Sequence, residues 1–203
     1  MSVFKSLLMT AVLGTSVNTV GAATLTDSLL QCDPQFFQAL YQHRAALSKV
    51  VNVEHDNKGN AWIPVKDKEV RIAFFTQPIH DKKLTLSGYY EQFDDLDKLG
   101  KYYFWGFLIN EPMEAVVAAT PKIHWQHSGD LYIANPQIKL KQDEPWQPNP
   151  STTDGIAPMV GSAEKLLMLS SRNGKSILHC SIQGSIDQAL LYQERPDIAA
   201  GNQ

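Results

Sequence analysis

The hydrophobic pattern of the chain is centred on residues 101–120. Residues 102–109 are almost entirely apolar, which is typical of a strand in the middle of a sheet, buried on both faces. Pro112 follows closely, and a proline is tolerated in the first turn of a helix because its missing N–H has no helical partner there. Residues 113–117 then place apolar side chains at i, i+3 and i+4. This stretch predicts a central strand that leads directly into an amphipathic helix.

Short apolar or alternating runs, bounded by turn residues, predict the other strands. A first helix is expected to run from Pro34, with Asp33 as its cap, to about Lys49, and a last helix from Ser185 to about Gln193, ended by Pro196. The other predicted strands cover residues 50–53, 61–65, 70–75, 84–93, 123–127, 131–134, 165–170 and 176–182. Antiparallel strands joined by short turns, with about three helices packed on them, indicate an α+β domain of two layers.

The second half of the chain repeats the pattern of the first at an offset of about 73 residues. The alternating face of the strand around Trp105 matches that around Cys180, and the apolar stripe of the helix 112–120 matches that of 185–193. This predicts two duplicated strand–strand–strand–helix halves, with the two helices side by side on one sheet face and related by an approximate two-fold. A chance likeness of two amphipathic strand–helix units is the alternative.

Residues 1–23 have the pattern of a secretory signal peptide. Lys5 precedes a short apolar segment, and small residues at Gly21 and Ala23 suit a signal peptidase. The apolar segment is too short to span a bilayer about 30 Å thick. A buried N-terminal helix is the alternative. Cleavage after Ala23 is expected to leave one α+β domain over residues 24–203.

The charge balance gives no reason to expect nucleic acid or anionic lipid as a partner. The chain has 18 Lys and Arg against 21 Asp and Glu, a net charge of −3, and removal of residues 1–23 takes away Lys5 alone and makes the balance more negative. Cys32 lies too far from the apolar segment for lipid attachment, and no second apolar run of membrane length follows. We therefore expect a periplasmic or secreted protein without stable membrane insertion.

Cys32 and Cys180 are the only cysteines of the chain. In an oxidising compartment a single pair most often forms an intramolecular disulfide. Their wide separation leaves no local metal motif of the CxxC kind. We predict a disulfide that joins the start of the first helix to the sheet, against the alternatives of free thiols or an intermolecular bond.

No motif predicts catalysis, a metal or a cofactor. His124 and His127 are spaced like metal ligands, but positions i and i+3 of a strand face opposite sides. Lys175 follows a hairpin glycine rather than a phosphate-binding loop, and residues 94–97 lack the alternating pattern of a calcium loop. No G-x-S-x-G segment is present. Whether the protein is an enzyme stays open, with binding favoured.

Two features have no purely structural assignment. The central strands carry more aromatic residues than one sheet face can hold, so the surplus either lies under the first helix or lines a groove. Residues 142–161 form a long loop with four prolines and Trp146, and such loops are often functional. We expect Trp146 to anchor a ligand or partner, with Tyr103 or Phe104 beneath it.

These observations favour a non-enzymatic periplasmic domain that binds a small ligand or an envelope protein. A periplasmic hydrolase, whose site is assembled from non-contiguous residues, is the first alternative. An accessory protein of envelope assembly is the second.

Overall fold

The computed structural model describes residues 23–154 and 158–201. Apart from Ala23, the predicted signal peptide lies outside the described residues. The helices are α1 (Leu25–Leu29), α2 (Gln35–Leu47), α3 (Met113–Ala119), α4 (Gln188–Glu194) and α5 (Pro196–Ala199). The strands are β1 (Glu54–His55), β2 (Ala61–Trp62), β3 (Ile72–Asp81), β4 (Leu84–Asp95), β5 (Lys101–Ile109), β6 (Gln126–Ser128), β7 (Leu131–Lys139), β8 (Gln147–Pro148), β9 (Ala163–Arg172) and β10 (Lys175–Gly184). The predicted α+β class is confirmed.

The main sheet has eight strands, and every pairing in it is antiparallel. Its order is β3-β4-β5-β10-β9-β7-β6, and β8 pairs with β7 off this path. The apolar run of β5 lies between β4 and β10, as its lack of polar positions predicts. β1 and β2 form a separate two-stranded sheet.

The helices pack on one face of the main sheet, which we call the helix face. Trp105 of β5 stands opposite Cys180 of β10, and residues directly opposite in an antiparallel pair share a face. Both belong to the large hydrophobic cluster to which α1, α2, α3 and α4 contribute buried side chains. The other face, which we call the far face, carries a smaller cluster around Tyr90, Leu108 and Ile177.

The predicted disulfide between Cys32 and Cys180 is present. Cys32 lies in the turn before α2, Cys180 lies in the middle of β10, and their Cα atoms are 5.4 Å apart. Both residues are buried in the main core. The bond therefore fastens the start of α2 to the centre of the sheet, where Phe36 and Phe37 meet the rings of Phe107 and Trp105.

The described helices number five rather than about three. The short helix α1, capped by the Thr24 side chain, directly follows the predicted cleavage site. The predicted last helix ends at Glu194, close to the expected Gln193, but its cap is Asp187 rather than Ser185. Pro196 then begins a further helix, α5, because a proline at the first helical position needs no N–H partner. Residues 50–53, predicted as a strand, lie outside the strands, and the Val50 carbonyl oxygen instead accepts a hydrogen bond from the Thr76 N–H at 2.9 Å.

The strand order fits the predicted two-fold arrangement. β3-β4-β5 and β7-β9-β10 approach the centre of the sheet from opposite edges, and β5 and β10 each lead into a helix. Lys101 pairs with Gly184, so the chain leaves β5 and β10 at opposite ends of the sheet. The helices α3 and α4 thus lie on the same face of the sheet, but each follows a different end of the central strand pair, β5 and β10. A common origin of the two halves stays a prediction.

Among the helices of residues 23–154 and 158–201, none is long and apolar enough to cross a membrane.

Candidate functional site

A cavity lies on the helix face at the end of β4 and β5, beside α5. Its volume is about 610 Å³, within the range of small-molecule sites. We call it the α5 cavity. It is lined by Lys68, Arg71, Glu91, Gln92, Phe93, Asp95, Lys101, Tyr103, Arg195 and Ile198. Four separate segments of the chain therefore meet there.

Two aromatic side chains form one wall of the α5 cavity. Phe93 of β4 and Tyr103 of β5 are direct cross-strand partners, and their ring centroids lie 4.7 Å apart at an interplanar angle of 32°. Such pairs hold each other in place beyond their simple area burial. Phe93 is 52% exposed, which leaves an apolar ring facing solvent. Burial raises the pKa of Tyr103, so its hydroxyl stays protonated at neutral pH.

The inner end of the cavity is formed by Arg195, which is only 1% exposed. Its Nε donates to Asp197 Oδ1 at 2.9 Å, and its NH2 group donates to Asp197 Oδ2 and Glu91 Oε1 at 2.6 Å each. The guanidinium carbon also lies 4.9 Å from the centroid of the Trp105 ring. We call Arg195, Asp197 and Glu91 the Arg195 cluster. It fixes the junction of α4 and α5 against the sheet.

Charge pairing sets the ionisation within this cluster. Burial acting alone would lower the pKa of Arg195, but the carboxylates of Asp197 and Glu91 raise it above its ordinary value, so the guanidinium stays charged. Burial raises the pKa of Glu91, and the charge of Arg195 lowers it in opposition. Three of the five guanidinium N–H groups donate to these two carboxylates, and the guanidinium also lies against an aromatic face, so it acts as a positioning group whose charge is already paired.

Three basic side chains form the rim of the cavity: Lys68, Arg71 and Lys101. Within the described part of the chain, Lys68 and Lys101 form no ion pair. Arg71 has a loose contact with Asp94, 3.8 Å between NH2 and Oδ1. The Arg71 backbone takes the left-handed conformation, with φ of +62°, and its N–H donates to the carbonyl oxygen of Asp67 at 2.8 Å. A strained backbone held by a local turn often accompanies a functional surface.

Of the three residues predicted to form a binding surface, Tyr103 alone lines the α5 cavity. Phe104, the next residue of the strand, points to the far face, where its ring meets that of His179 at 5.8 Å between centroids. Trp146 packs against the main core. The structure thus does not bring Tyr103, Phe104 and Trp146 together.

Trp146 is held between charged groups on the helix face. Its Nε1 donates to Glu194 Oε1 at 2.9 Å, and the ammonium groups of Lys165 and Lys139 lie 4.6 Å and 5.4 Å from its ring centroid. Lys165 also pairs with Glu194 at 2.9 Å, and both side chains are buried. These contacts make Trp146 an anchor that fastens residues 142–148 to α4.

The same loop also reaches the far face. Asn149 Nδ2 donates to Glu164 Oε1 at 2.6 Å, and the Thr152 hydroxyl donates to the same oxygen. Glu164 alternates with Lys165 along β9, so the two side chains lie on opposite faces of the sheet. The Pro-rich loop therefore wraps around β7 and holds both faces, which accounts for much of its length in structural terms.

The surplus aromatic residues are divided between the two faces. The helix α2 covers Tyr89 and Trp105 through Phe36 and Phe37. Tyr90 and Phe104 lie on the far face around His179, where α2 cannot reach them because it packs on the helix face.

The described residues show no assembled nucleophile and base. His179 is buried, and burial lowers its pKa to about 4; its Nδ1 lies 3.3 Å from the Ile177 carbonyl oxygen. Thr85 and His80 form a hydroxyl–imidazole contact at the surface, with 3.4 Å between Oγ1 and Nδ1. No group of three or more His, Cys, Asp or Glu among the described residues could hold a metal ion.

Sequence reasoning did not find Arg195, Glu91 and Phe93. Arg195 is a single basic residue between two short helices, and Glu91 and Phe93 occupy alternating positions of a strand that was assigned to the sheet as a whole. The excess of aromatic residues in β4 and β5 was the one signal that pointed toward this region.

No protein-family model, no curated protein and no solved structure matches the chain.

Proposed function

We propose that the protein is an exported, non-enzymatic binding domain that holds a small ligand in the α5 cavity. The observation that carries this proposal is the exposed Phe93–Tyr103 wall beside the immobilised Arg195 cluster, in a cavity of about 610 Å³. Known small-molecule sites have volumes of about 300–1,000 Å³ and combine apolar surface with fixed polar groups. Here Phe93, Tyr103 and Ile198 supply the apolar surface.

The rigidity of the surroundings supports binding. Arg195 is held by three hydrogen bonds to two carboxylates, and Cys32–Cys180 fastens the helical layer to β10, the neighbour of β5. A site that is already ordered loses little conformational entropy when a ligand arrives. The position of the cavity between β4, β5 and α5 is therefore suited to a ligand taken up without large rearrangement.

The buried disulfide also supports the export part of the proposal. Structural disulfides form and persist in oxidising compartments such as the periplasm and the extracellular space. This agrees with the secretory pattern of residues 1–23. The mature N-terminus is expected at Thr24 or one residue earlier, which the intact mass of the exported protein measures.

The hydrolase alternative has less support. Acyl transfer of that kind needs a nucleophile within hydrogen-bond reach of a base, and His179 faces a backbone carbonyl between two aromatic rings. A protein partner centred on Trp146 also has less support, because that ring is already held by Glu194 and two lysines.

The proposal is tested by titrating the purified protein with 8-anilinonaphthalene-1-sulfonate, an aromatic probe whose fluorescence rises on binding. We expect saturable binding at one site and a loss of roughly tenfold in affinity in Phe93→Ala, since truncation of an anchoring aromatic costs on the order of 1–2 kcal/mol. Phe74→Ala is the matched control, because Phe74 is 60% exposed on the far face.

Both variants must keep the thermal midpoint of the parent protein, which separates lost binding from lost folding. Equal probe affinity in Phe93→Ala and in the parent protein would contradict the proposal.

A further inference from the structure

We propose that the natural ligand of the α5 cavity is an anion that carries a flat apolar group, such as an aromatic carboxylate or sulfonate. This inference rests on the proposed function and goes beyond it by naming the chemical class. It follows from the separation of the cavity into an inner end whose arginine is already paired, an aromatic wall and a basic rim.

The inner end holds one buried cation between two carboxylates, so its charge balance is negative and it does not itself attract an anion. Arg195 is occupied by Asp197 and Glu91 through three hydrogen bonds. Glu91 in turn has its Oε1 bound by the guanidinium, so a ligand cation that sought this carboxylate would have to compete with a buried pair. Such a pair is costly to break, because the group left behind is buried and uncompensated.

The rim, in contrast, presents positive charge that is not held in close ion pairs, although Lys68 acts electrostatically on Glu91. Lys68 and Lys101 are exposed and form no ion pair among the described residues, and Arg71 has only its 3.8 Å contact with Asp94. The acidic group on the rim is Asp95, which stands directly opposite Lys101 in the β4–β5 pair and accepts a hydrogen bond from the Asp97 N–H at 3.0 Å. One rim carboxylate therefore stands against three rim cations, so the charge balance of the rim is positive.

This local excess stands out against the whole chain, which has a net charge of −3. A cluster of basic side chains on an acidic protein is not explained by general solubility. The wall adds the second element of recognition, since a ring can stack on Phe93, which is 52% exposed, while the Tyr103 hydroxyl at its side can donate a hydrogen bond to an oxyanion.

Two probes that share one ring system and differ by a sulfonate group test this inference. 8-Anilinonaphthalene-1-sulfonate is the anion, and N-phenyl-1-naphthylamine is the same ring system without the sulfonate. We expect the anion to bind at least about fivefold more tightly at low salt, since each exposed charge pair is worth up to about 1 kcal/mol. The preference should shrink as salt is added, whereas the affinity of the neutral probe should change little.

The triple variant Lys68→Gln, Arg71→Gln and Lys101→Gln should abolish the preference for the anion and leave the neutral probe bound. Its matched control changes three exposed lysines elsewhere: Lys58→Gln, Lys83→Gln and Lys122→Gln. This control changes the net charge by the same amount as the rim variant. It also tests the separate cavity that Lys83 and Lys122 line. The control should keep the preference.

The outcomes separate the two proposals. If both probes bind and both lose affinity in Phe93→Ala, the binding site is supported. The anion class is nevertheless overturned if the anionic probe binds no more tightly than the neutral one, or if its preference disappears in the control triple variant rather than in the rim variant. If neither probe responds to Phe93→Ala, the proposed function fails and the inference fails with it.

Discussion

Removal of the Arg195 guanidinium gives the sharpest test of how the candidate site is held together. Arg195→Met keeps much of the apolar stem that packs on Trp105 but leaves Asp197, which is fully buried, and Glu91 without their cation. Breaking a buried ion pair by removing one partner typically costs about 3–5 kcal/mol. We therefore expect Arg195→Met to lower the free energy of unfolding by roughly that amount.

The loss should depend on pH in a defined direction. Burial raises the pKa of Glu91, and the charge of Arg195 opposes that rise, so removal of Arg195 raises the pKa of Glu91 further. An acid whose pKa is higher in the folded state than in the unfolded chain stabilises the fold less as the pH rises through its folded pKa. The deficit of Arg195→Met is therefore larger at pH 8 than at pH 5.

Urea denaturation under non-reducing conditions, with the midpoint and slope fitted at both pH values, measures this effect. Arg71→Met is the control, and it should cost less than about 1 kcal/mol because its contact with Asp94 is long and exposed. Glu91→Gln in the Arg195→Met background should recover part of the loss, because it removes one uncompensated carboxylate. If Arg195→Met lowers the free energy of unfolding by less than about 1 kcal/mol, the buried ion pairs of Arg195 do not hold the site together.

Three further predictions concern the rest of the fold. Replacing both Cys32 and Cys180 by alanine should cost about 5 kcal/mol if loop-closure entropy dominates; alkylation of the denatured, unreduced parent that labels two thiols would contradict the pairing. Trp146→Ala should lower the free energy of unfolding, measured by urea denaturation, by about 2 kcal/mol and leave probe affinity unchanged. Lost probe affinity with unchanged stability would instead assign this loop to ligand binding. Burial lowers the pKa of His179 to about 4, so the unfolded chain gains this proton first as the pH falls. The parent protein should therefore lose up to about 3 kcal/mol of unfolding free energy between pH 6.5 and 4. In His179→Leu this part of the pH dependence should be missing, and an identical pH dependence in both proteins would exclude the contribution of His179.

The parts of the fold that depend on local pattern were predictable. The apolar run of β5 indicated a central strand, and Asn173-Gly174 indicated the hairpin between β9 and β10, because both signals act over a few residues. The disulfide followed from the even pair Cys32 and Cys180 and from the inward face of the strand around Cys180.

The junction of α4 and α5 was not predictable in the same way. Pro196 is compatible with the end of one helix or with the start of the next. Here Arg195 holds the junction of α4 and α5, and its partner Glu91 is 104 positions away in the chain. The pairing of a buried arginine with carboxylates depends on tertiary packing, which leaves no local signature in the sequence.

The candidate site was predicted only in part. Tyr103 was identified through the surplus of aromatic residues, but alternation along β5 places Phe104 on the far face. Trp146 looked exposed because prolines and polar residues surround it, although Lys165 and Glu194 hold it against the core. A Trp in a polar loop cannot be assigned to solvent or core without knowing which strands it crosses.

The most direct test of the central claim is a ¹⁵N–¹H NMR titration of the protein with 8-anilinonaphthalene-1-sulfonate, which locates the bound probe residue by residue. We expect saturable shift changes concentrated in the segments that line the α5 cavity, residues 68–71, 91–95, 101–103 and 195–198. Shift changes centred instead on the cavity around residues 26–31 and 119–123, or spread over the surface without saturation, would contradict it.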